Sequence, residues 1–276
     1  MDGRAADKNN MNLYRVTHRN INELKFPSPL NFDTILFDSN LNCNLHCVYC
    51  HNQRDTKLVS EDDFIKFIDT QVESVKNFQI GCTMEPTMNK RMVKFATIVS
   101  KSKAKPTGFF RIQTNGMLLH HHNLDGLKEA GISYFTISLD TVDKDIHAEL
   151  RGGSDINKIL TNIKWLRTSW PSLNICLVCT VSSLNIYKLR DLFTFAVDAG
   201  INGIELRKMF YYPTSRIITN HDLMSRILLT NEEFLKECDS LVAEFKDKIY
   251  IFINDEERIA KQKLEQKTRI EQSLLG

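Results

Sequence analysis

The sequence predicts an α/β fold built on a parallel β-sheet. Apolar segments of strand length alternate with helical patterns from about residue 33 to residue 253, and the connections between them are short. This alternation is typical of βα units, whose strands run parallel to one another. The chain has 276 residues, of which 42% are hydrophobic and 25% charged, so we expect one large domain with a sizeable core.

The predicted strands are short apolar runs. In chain order they cover residues 33–38, 78–82, 109–114, 134–140, 173–181, 203–207 and 249–253. The predicted helices carry apolar residues at helical spacing. They cover residues 60–75, 90–102, 124–130, 154–165, 189–199 and 231–245. Ser60 is a typical N-cap, whereas Gly131 and Gly200 are typical of helix ends.

The two ends of the chain differ from this pattern. We expect residues 31–254 to form the main domain, with residues 1–30 as an irregular arm or small added element. Residues 255–276 are highly charged and helical in pattern, which predicts a solvated terminal helix. The first ten residues lack the hydrophobic segment of a signal peptide, and no apolar run approaches the roughly 20 residues needed to cross a bilayer.

Charge and cysteine content narrow the functional classes. The net charge is only +2, so no global basic field indicates a nucleic-acid partner. The seven cysteines do not resemble a disulfide framework, because three of them are crowded into eight residues. Reduced thiols are the simpler interpretation, and they predict a cytoplasmic location.

The three crowded cysteines are the strongest functional signal. Cys43, Cys47 and Cys50 have a C-x3-C-x2-C spacing directly after the first predicted strand. A short loop of this kind can turn three sulfurs toward one centre, which suits an iron–sulfur cluster. A closed zinc site or a fully ligated cluster normally has a fourth protein ligand. Three ligands therefore predict a metal centre with an open position for chemistry.

This motif resembles the cluster motif of the radical S-adenosylmethionine (radical SAM) enzymes, including the aromatic residue, Tyr49, just before the third cysteine. The resemblance implies a partial, TIM-like (β/α)6 barrel. It also implies a [4Fe–4S] cluster on the three cysteines, with S-adenosylmethionine bound at the fourth iron and its adenine beside Tyr49. Such enzymes cleave the cofactor reductively to a 5′-deoxyadenosyl radical, which takes a hydrogen atom from the substrate. An external electron donor, flavodoxin- or ferredoxin-like, is implied as well.

A second motif follows the second predicted strand. The segment Gly81-Cys-Thr-Met-Glu-Pro-Thr87 resembles the Gly-Gly-Glu-Pro motif with which the family holds the amino group of S-adenosylmethionine. Glu85 and Pro86 match this motif, but Thr83 and Met84 stand where the paired glycines belong. Glu85 is therefore expected to accept a hydrogen bond from the ammonium group. The alternative is that it is an ordinary turn residue.

Four further residues are predicted to contact the cofactor. Ser138 and Asp140 share one face of the fourth predicted strand, where the family commonly uses a serine with acidic neighbours near the ribose. Asp140 could instead cap the next helix. Asn115 follows the third strand and could be only a turn residue, whereas Arg151 could pair with the cofactor carboxylate or lie on the surface.

Residues deeper in the predicted barrel are candidates for the substrate site. Cys176 and Cys179 point to opposite faces of their strand, with Cys176 toward the lumen and Cys179 toward the helices. Cys176 is a possible hydrogen-atom donor, although a buried cysteine is usually a small hydrophobe. Glu205 and Arg207 could line the floor of the substrate pocket or form an internal ion pair.

The sequence leaves the reaction open. We expect a small-molecule substrate (a metabolite, sugar or nucleotide) and a redox-neutral rearrangement, epimerisation or elimination, because no cysteine-rich extension for further clusters follows the barrel. One alternative is a peptide-modifying radical SAM enzyme. Another is a zinc-stabilised binding module, with the metal site completed by His46, His51 or Cys82. A third is a degenerate barrel that binds the cofactor without turnover.

Overall fold

The computed structural model describes residues 10–23 and 25–254, which form an eight-stranded β-sheet with helices. The strands lie side by side in chain order, and every neighbouring pair is parallel. They are β1 (Asn10–Thr17), β2 (Leu30–Asp38), β3 (Val72–Ile80), β4 (Phe110–Thr114), β5 (Tyr134–Ser138), β6 (Asn174–Val181), β7 (Gly203–Lys208) and β8 (Tyr250–Asn254).

Eight α-helices are present among the described residues, six of them in the connections from β2 to β7. They are α1 (Glu61–Gln71), α2 (Met92–Lys101), α3 (Leu124–Glu129), α4 (Lys144–Leu150), α5 (Ile156–Ser169), α6 (Leu189–Asp198), α7 (His221–Arg226) and α8 (Asn231–Phe245). This architecture confirms the predicted α/β class, a partial TIM-like barrel of parallel strands. In the described part of the chain, no helix is long and apolar enough to cross a membrane.

Residues 1–30 were expected to form an irregular arm or a small added element. Within them, residues 10–17 form the edge strand β1 beside β2. The apolar signal there is weak: Val16 is fully buried, whereas Leu13 is 62% exposed. Main-chain pairing along β2 stabilises an edge strand of this kind without a continuous apolar face, which is why the sequence pattern did not show it. Residues 1–9 and the predicted helix at 255–276 lie outside the described residues.

The boundary between α1 and β3 also differs from the prediction. The helical pattern was extended to Val75, but α1 ends at Gln71 and β3 begins at Val72. A register shift pairs Leu30 with Val72 and Phe32 with Val75, so both valines are buried although they are three residues apart. An irregularity of this kind gives a strand the apolar spacing of a helix.

Two short helices were not predicted, α4 and α7. Each begins after a residue whose side chain caps the first turn, Asp143 for α4 and Asn220 for α7. Both helices have fewer than eight residues, which is too short for a clear helical periodicity.

The core packs the sheet against the helices and leaves the carboxyl ends of the strands for polar residues. Between β2, β3 and the first two helices, the Phe37 ring stacks on Phe64 with ring centres 4.2 Å apart, and Phe95 lies edge-on to both. These side chains are fully buried. Burial of large aromatic side chains is a major contribution to folding. It fixes the strands whose ends carry the polar residues.

One strand end depends on glycine. Gly81 follows β3 with φ of +81°, and a Cβ atom added there would lie 2.5 Å from the Gln113 carbonyl oxygen and 2.6 Å from Cγ of Pro86. Gly131 has a similar φ of +78°, but nothing lies within 4 Å of its added Cβ. Alanine substitutions at the two glycines therefore distinguish the cost of backbone strain from the cost of steric overlap.

We expect Gly131→Ala to lower the free energy of unfolding by about 1 kcal/mol, the usual cost of a left-handed conformation. Gly81→Ala should lower it by roughly 1–3 kcal/mol more, because the new methyl group meets backbone and proline atoms that cannot rotate away. Urea titration of the two variants beside the parent protein measures this difference. Equal losses in both variants would show that the overlap at Gly81 relaxes freely.

Candidate functional site

A cavity of about 350 Å³ lies at the carboxyl ends of the strands. This is the end of a parallel barrel at which active sites form. Eight of the residues predicted for cluster or cofactor binding line it together: Cys43, Cys47, Tyr49, Cys50, Glu85, Asn115, Ser138 and Arg151. They come from the cysteine loop (residues 43–50) and from segments that follow β3, β4 and β5, so the fold gathers residues that are far apart in sequence.

The cysteine loop is held by polar side chains that the sequence analysis missed. The Cys43 N–H donates to Oδ1 of Asn42 at 2.9 Å. Arg54 donates to the carbonyl oxygens of Cys43, at 3.0 Å, and of Leu45. Asn115 donates to Oδ1 of Asn44 at 2.9 Å. The alternation of Asn40, Asn42 and Asn44 could have revealed these contacts in the sequence, because asparagine side chains commonly bond to nearby backbone in tight loops.

The loop is also tied to the segment that carries Arg151. His46 and Cys47 pair with Gly152 and Arg151 as a short antiparallel bridge, and the Val48 N–H donates to the Leu150 carbonyl at 3.0 Å. Gly152 fits this close approach, because an added Cβ would lie 3.0 Å from the carbonyl oxygen of His46. The cysteines and Arg151 are therefore positioned as one unit.

The thiols fit a cluster held at three corners. Burial raises the pKa of Cys43 and raises that of Cys47 to about 11, so these thiols carry their protons until a metal displaces them. Among residues 10–23 and 25–254, no three His, Cys, Asp or Glu side chains are close enough together to hold a single metal ion. A four-iron cube separates its thiolates more widely than one ion does. Three cysteines spread around one cavity suit the cube.

Glu85 is the most strongly held carboxylate at the cavity. It is 2% exposed, and its Oε1 accepts hydrogen bonds from Thr114, at 2.6 Å, and from the hydroxyl and N–H of Thr87. The Asn115 N–H donates to Oε2 at 2.6 Å. Burial raises the pKa of Glu85, although these four hydrogen bonds act in the opposite direction. A fixed, buried carboxylate at a cavity is suited to bind a cation.

Asp140 differs from its predicted place. It is fully buried and is not among the residues that line the cavity. Its carboxylate accepts hydrogen bonds from Nε and Nη2 of Arg151 at 2.7 and 2.9 Å, from the Tyr49 hydroxyl at 2.7 Å and from the Thr180 N–H at 2.8 Å. The cap of the following helix is Asp143 rather than Asp140. Asp140 thus orients Arg151 and Tyr49, which do line the cavity.

Cys176 lies deeper than predicted for a hydrogen-atom donor. It is 7% exposed and its thiol donates to the Leu177 carbonyl at 3.4 Å, whereas Val178 and Thr180 of the same strand line the cavity. The two faces of β6 are as predicted, since Cys179 is fully buried in the main hydrophobic core. The alternation along a strand identified the correct face but not the depth.

The candidate zinc ligands lie in different surroundings. His51 and Cys82 line the cavity with the three cysteines, whereas His46 is exposed and its Nε2 lies 3.2 Å from Arg54. Burial raises the pKa of Cys82 to about 11. Because both line the cavity, His51 and Cys82 are the candidate fourth ligands that a metal analysis must test.

A second cavity, of about 480 Å³, adjoins the first. Tyr49, His51, Thr180 and Arg207 line both. The further lining residues of the second cavity are Lys208, Met209, Phe210, Tyr212, Asn231 and Asn254. The predicted pair of Glu205 and Arg207 forms an ion pair at 2.6 Å, so Arg207 is held by Glu205 while it lines both cavities.

Comparison with known proteins agrees with this geometry. The family model of the radical SAM superfamily matches residues 40–192, which is more than half of the chain. A probable GTP 3′,8-cyclase from Methanococcus maripaludis is 28% identical over 151 residues, 51% of this chain and 49% of that protein. A probable GTP 3′,8-cyclase from Methanocaldococcus jannaschii is 28% identical over 190 residues, 63% of this chain and 61% of that protein. The chain thus spans about half to three-fifths of the length of these relatives.

Solved structures confirm the fold. SuiB from Streptococcus suis, in a crystal structure with bound S-adenosylmethionine, superposes with a TM-score of 0.62 at 15% sequence identity. The match covers 83% of this chain and 51% of that chain. At this identity the likeness extends to the fold alone.

His147 lies on α4, the helix that precedes Arg151, and should make the stability of the fold depend on pH. It is 1% exposed, its Nε2 lies 2.8 Å from the Ser154 hydroxyl, and its Nδ1 has no partner among the described residues. Burial and the nearby charge of Arg151 lower its pKa to about 4. The unfolded chain binds a proton near pH 6.5, whereas the folded chain resists it, so stability should fall as the pH drops from 6.5 toward 4.

We expect the free energy of unfolding to decrease by about 2 kcal/mol from this residue between pH 7.5 and pH 5. His147→Gln keeps a hydrogen-bonding group beside Ser154 but does not titrate, so its unfolding should depend less on pH by about that amount. Urea titrations at the two pH values measure the difference. Parallel pH profiles for the two proteins would contradict the prediction.

Proposed function

The chain belongs to the radical SAM superfamily, and we propose that it is an enzyme that takes a hydrogen atom from a small anionic substrate of the nucleotide class. The observation that carries this proposal is the single cavity in which the cysteine loop meets Glu85, Asn115, Ser138 and Arg151. The adjoining cationic cavity supports the choice of substrate. When bound, the [4Fe–4S] cluster and S-adenosylmethionine supply the 5′-deoxyadenosyl radical that performs the abstraction.

In this proposal the cysteine loop holds the cluster. Cys43, Cys47 and Cys50 would hold the cluster at three of its irons and leave the fourth open to the cofactor. The contacts of Arg54 and Asn115 keep the loop in place, which lowers the cost of ordering the three thiolates around the metal.

Two buried charges select the amino-acid end of S-adenosylmethionine. Glu85 accepts hydrogen bonds from its ammonium group, because the glutamate is already fixed by Thr87, Thr114 and Asn115. Arg151 pairs with its carboxylate. Asp140 occupies Nε and Nη2 of the guanidinium, so Nη1 is the nitrogen that remains for the cofactor. Asp140 therefore acts as a positioning residue.

The remaining cofactor contacts are proposed from their places in the cavity. Tyr49 would stack beside the adenine; its ring lies 5.8 Å from the Arg151 guanidinium and its hydroxyl is fixed on Asp140. Ser138 and Asn115 line the same cavity and would be the hydrogen-bonding partners of the ribose. A rigid aromatic side chain is suited to stacking on a purine without losing much conformational entropy.

The second cavity is the proposed substrate site. Among residues 10–23 and 25–254, those that line it include the cations Arg207 and Lys208 and no carboxylate. Glu205, which is not one of the lining residues, pairs with Arg207. Phe210 and Tyr212 are 63% and 49% exposed, which is high for large aromatic side chains. Cations beside exposed rings suit a ligand with a flat base and phosphate groups. The curated relatives that are named GTP 3′,8-cyclases support the same class.

We propose a redox-neutral outcome: a rearrangement, epimerisation or elimination. The four cysteines outside the loop are Cys82, Cys176, Cys179 and Cys238, of which Cys179 and Cys238 are fully buried in the main core. Within this part of the protein they are dispersed rather than grouped as the ligands of a second cluster, which supports chemistry that does not use them as an internal electron acceptor. The first electron then comes from an external flavodoxin- or ferredoxin-like donor. Modification of a peptide is the second candidate reaction. SuiB, whose structure has been solved with a bound precursor peptide, matches this chain at the level of the fold only.

The first test is low-temperature EPR of the anaerobically reconstituted, dithionite-reduced protein with and without S-adenosylmethionine. We expect a [4Fe–4S]⁺ signal that changes when the cofactor is added, because the fourth iron is open to it. Cys47→Ala should lower iron and sulfide content and abolish the signal.

Cys82→Ser is the matched control, because Cys82 lines the same cavity without belonging to the loop. It should retain iron, sulfide and the response to the cofactor. Zinc without sulfide in the parent protein, with zinc lost from Cys82→Ser, would overturn the enzyme proposal in favour of a structural zinc site.

The charge of the second cavity predicts a difference between GTP and guanosine. GTP should bind the cofactor-loaded protein at least about tenfold more tightly than guanosine, because a charged hydrogen bond contributes roughly 1.5–3 kcal/mol. Arg207→Gln should remove most of that difference. Isothermal titration calorimetry with both ligands measures it.

Lys188→Gln is the control for a general loss of positive charge. Lys188 is half exposed and lines neither cavity. Its substitution should leave the ratio of the two dissociation constants unchanged. Equal affinity of the parent protein for GTP and guanosine would contradict the assignment of an anionic substrate.

A further inference from the structure

The segment Cys82–Glu85 departs from the family motif where the cofactor is expected to approach closest. Thr83 and Met84 replace the paired glycines, and both line the main cavity. No described residue other than glycine has a positive φ, so these two adopt ordinary backbone conformations. The segment must therefore be held open to the cofactor by something other than glycine's conformational freedom.

A buried carboxylate at the end of β2 holds this segment. Asp38 is 2% exposed, and its Oδ1 accepts hydrogen bonds from the N–H groups of Cys82, at 2.8 Å, and Thr83, at 3.4 Å. Its Oδ2 accepts the Thr83 hydroxyl at 3.2 Å. One side chain thus fixes the first two residues of the segment. If the segment shifted, Oδ1 of this buried carboxylate would lose both of its N–H donors, which is energetically costly.

Arg15 of β1 completes the arrangement. Its Nε donates to Oδ2 of Asp38 at 2.9 Å, and its Nη2 donates to the Thr83 hydroxyl. The guanidinium therefore bonds both to the carboxylate and to the side chain that the carboxylate orients. Both Arg15 and Asp38 precede residues 40–192, the part matched by the family model. The contact comes from the edge strand that the sequence pattern did not reveal.

The rest of the segment is held as well, except at one residue. The Cys82 carbonyl accepts a hydrogen bond from Gln113 at 3.1 Å, and the Glu85 N–H donates to the Asn42 carbonyl at 3.0 Å. In the described part of the chain, the backbone groups of Met84 have no hydrogen-bond partner. Met84 lines the cavity. The residues on either side of Met84 are held by hydrogen bonds, whereas the N–H and carbonyl groups of Met84 are left to bond to a ligand.

We propose that Arg15, Asp38 and Thr83 form a clamp that takes over the role of the missing glycines. The clamp sets the backbone of Cys82–Glu85 so that Met84 and Glu85 meet the amino end of S-adenosylmethionine. Arg15, Asp38 and Thr83 are positioning residues, since they act through this segment. The inference rests on the proposed assignment of Glu85 to the cofactor's ammonium group.

Substitutions at Thr83 test the clamp without removing a buried charge. Thr83→Val keeps the size and branching of the side chain but removes the hydroxyl, whereas Thr83→Ser keeps the hydroxyl. The reconstituted proteins are compared by equilibrium dialysis against labelled S-adenosylmethionine, with iron and sulfide content measured on the same samples. We expect Thr83→Val to bind the cofactor roughly tenfold more weakly at unchanged cluster content, and Thr83→Ser to restore binding.

Arg15→Gln tests the other half of the clamp. It should weaken cofactor binding to a similar extent, and its combination with Thr83→Val should weaken binding by less than the product of the two single effects, because both act on one contact. The change in the EPR signal of the reduced cluster on cofactor addition should be smaller in both variants at a fixed cofactor concentration.

Two results would overturn the clamp. One is parent-like cofactor binding in Thr83→Val, and the other is a loss of binding that is matched by an equal loss of cluster. Failure of the parent protein itself to bind S-adenosylmethionine would instead overturn the proposed function and with it the premise of the clamp. Binding by the parent and by all variants alike would leave the proposed function in place and refute only the clamp.

Discussion

The buried carboxylate of Asp140 is the constraint on which most of the site depends. It accepts hydrogen bonds from the cysteine loop through Tyr49, from the segment after α4 through Arg151, and from the backbone of β6 at Thr180. Burying a charge costs on the order of several kcal/mol unless every oxygen is well partnered. The three parts of the chain must therefore meet in one arrangement to satisfy it. That arrangement also brings together the aromatic ring, the guanidinium and the cysteines.

A second buried carboxylate, that of Asp38, orients another part of the cavity wall in the same way. Asp38 joins β1, β2 and the segment after β3, whereas Asp140 joins the cysteine loop, α4 and β6. Glu85 lies in the cavity itself, fixed by hydroxyl and N–H donors rather than by an ion pair. Two carboxylates thus orient the surroundings, and the third is left to meet a cation.

The sequence predicted what depends on local pattern. The cysteine spacing, the Glu85 motif and the faces of β5 and β6 were readable, because spacing and alternation are properties of neighbouring residues. The ion pair of Arg15 and Asp38 could not be predicted from the sequence pattern. The two residues are 23 apart, and the edge strand that carries Arg15 has little apolar signal. Asp140 was predicted on the correct strand end, but its carboxylate is paired with Arg151 and does not line the cavity. Pairings between distant charges are set by tertiary packing rather than by pattern.

The strand order of the sheet has a consequence for how the protein acquires its cluster. Because the strands follow one another in space as they do in the chain, each βα unit can dock on the preceding one as it leaves the ribosome. The cysteine loop emerges early, yet Arg151, which pairs with Cys47, emerges more than a hundred residues later. Until then the three thiols belong to an incomplete half-barrel. The cysteine loop therefore completes its backbone pairing only after the chain beyond α4 has been made, so a cluster delivered earlier would meet thiols that are not yet held in place.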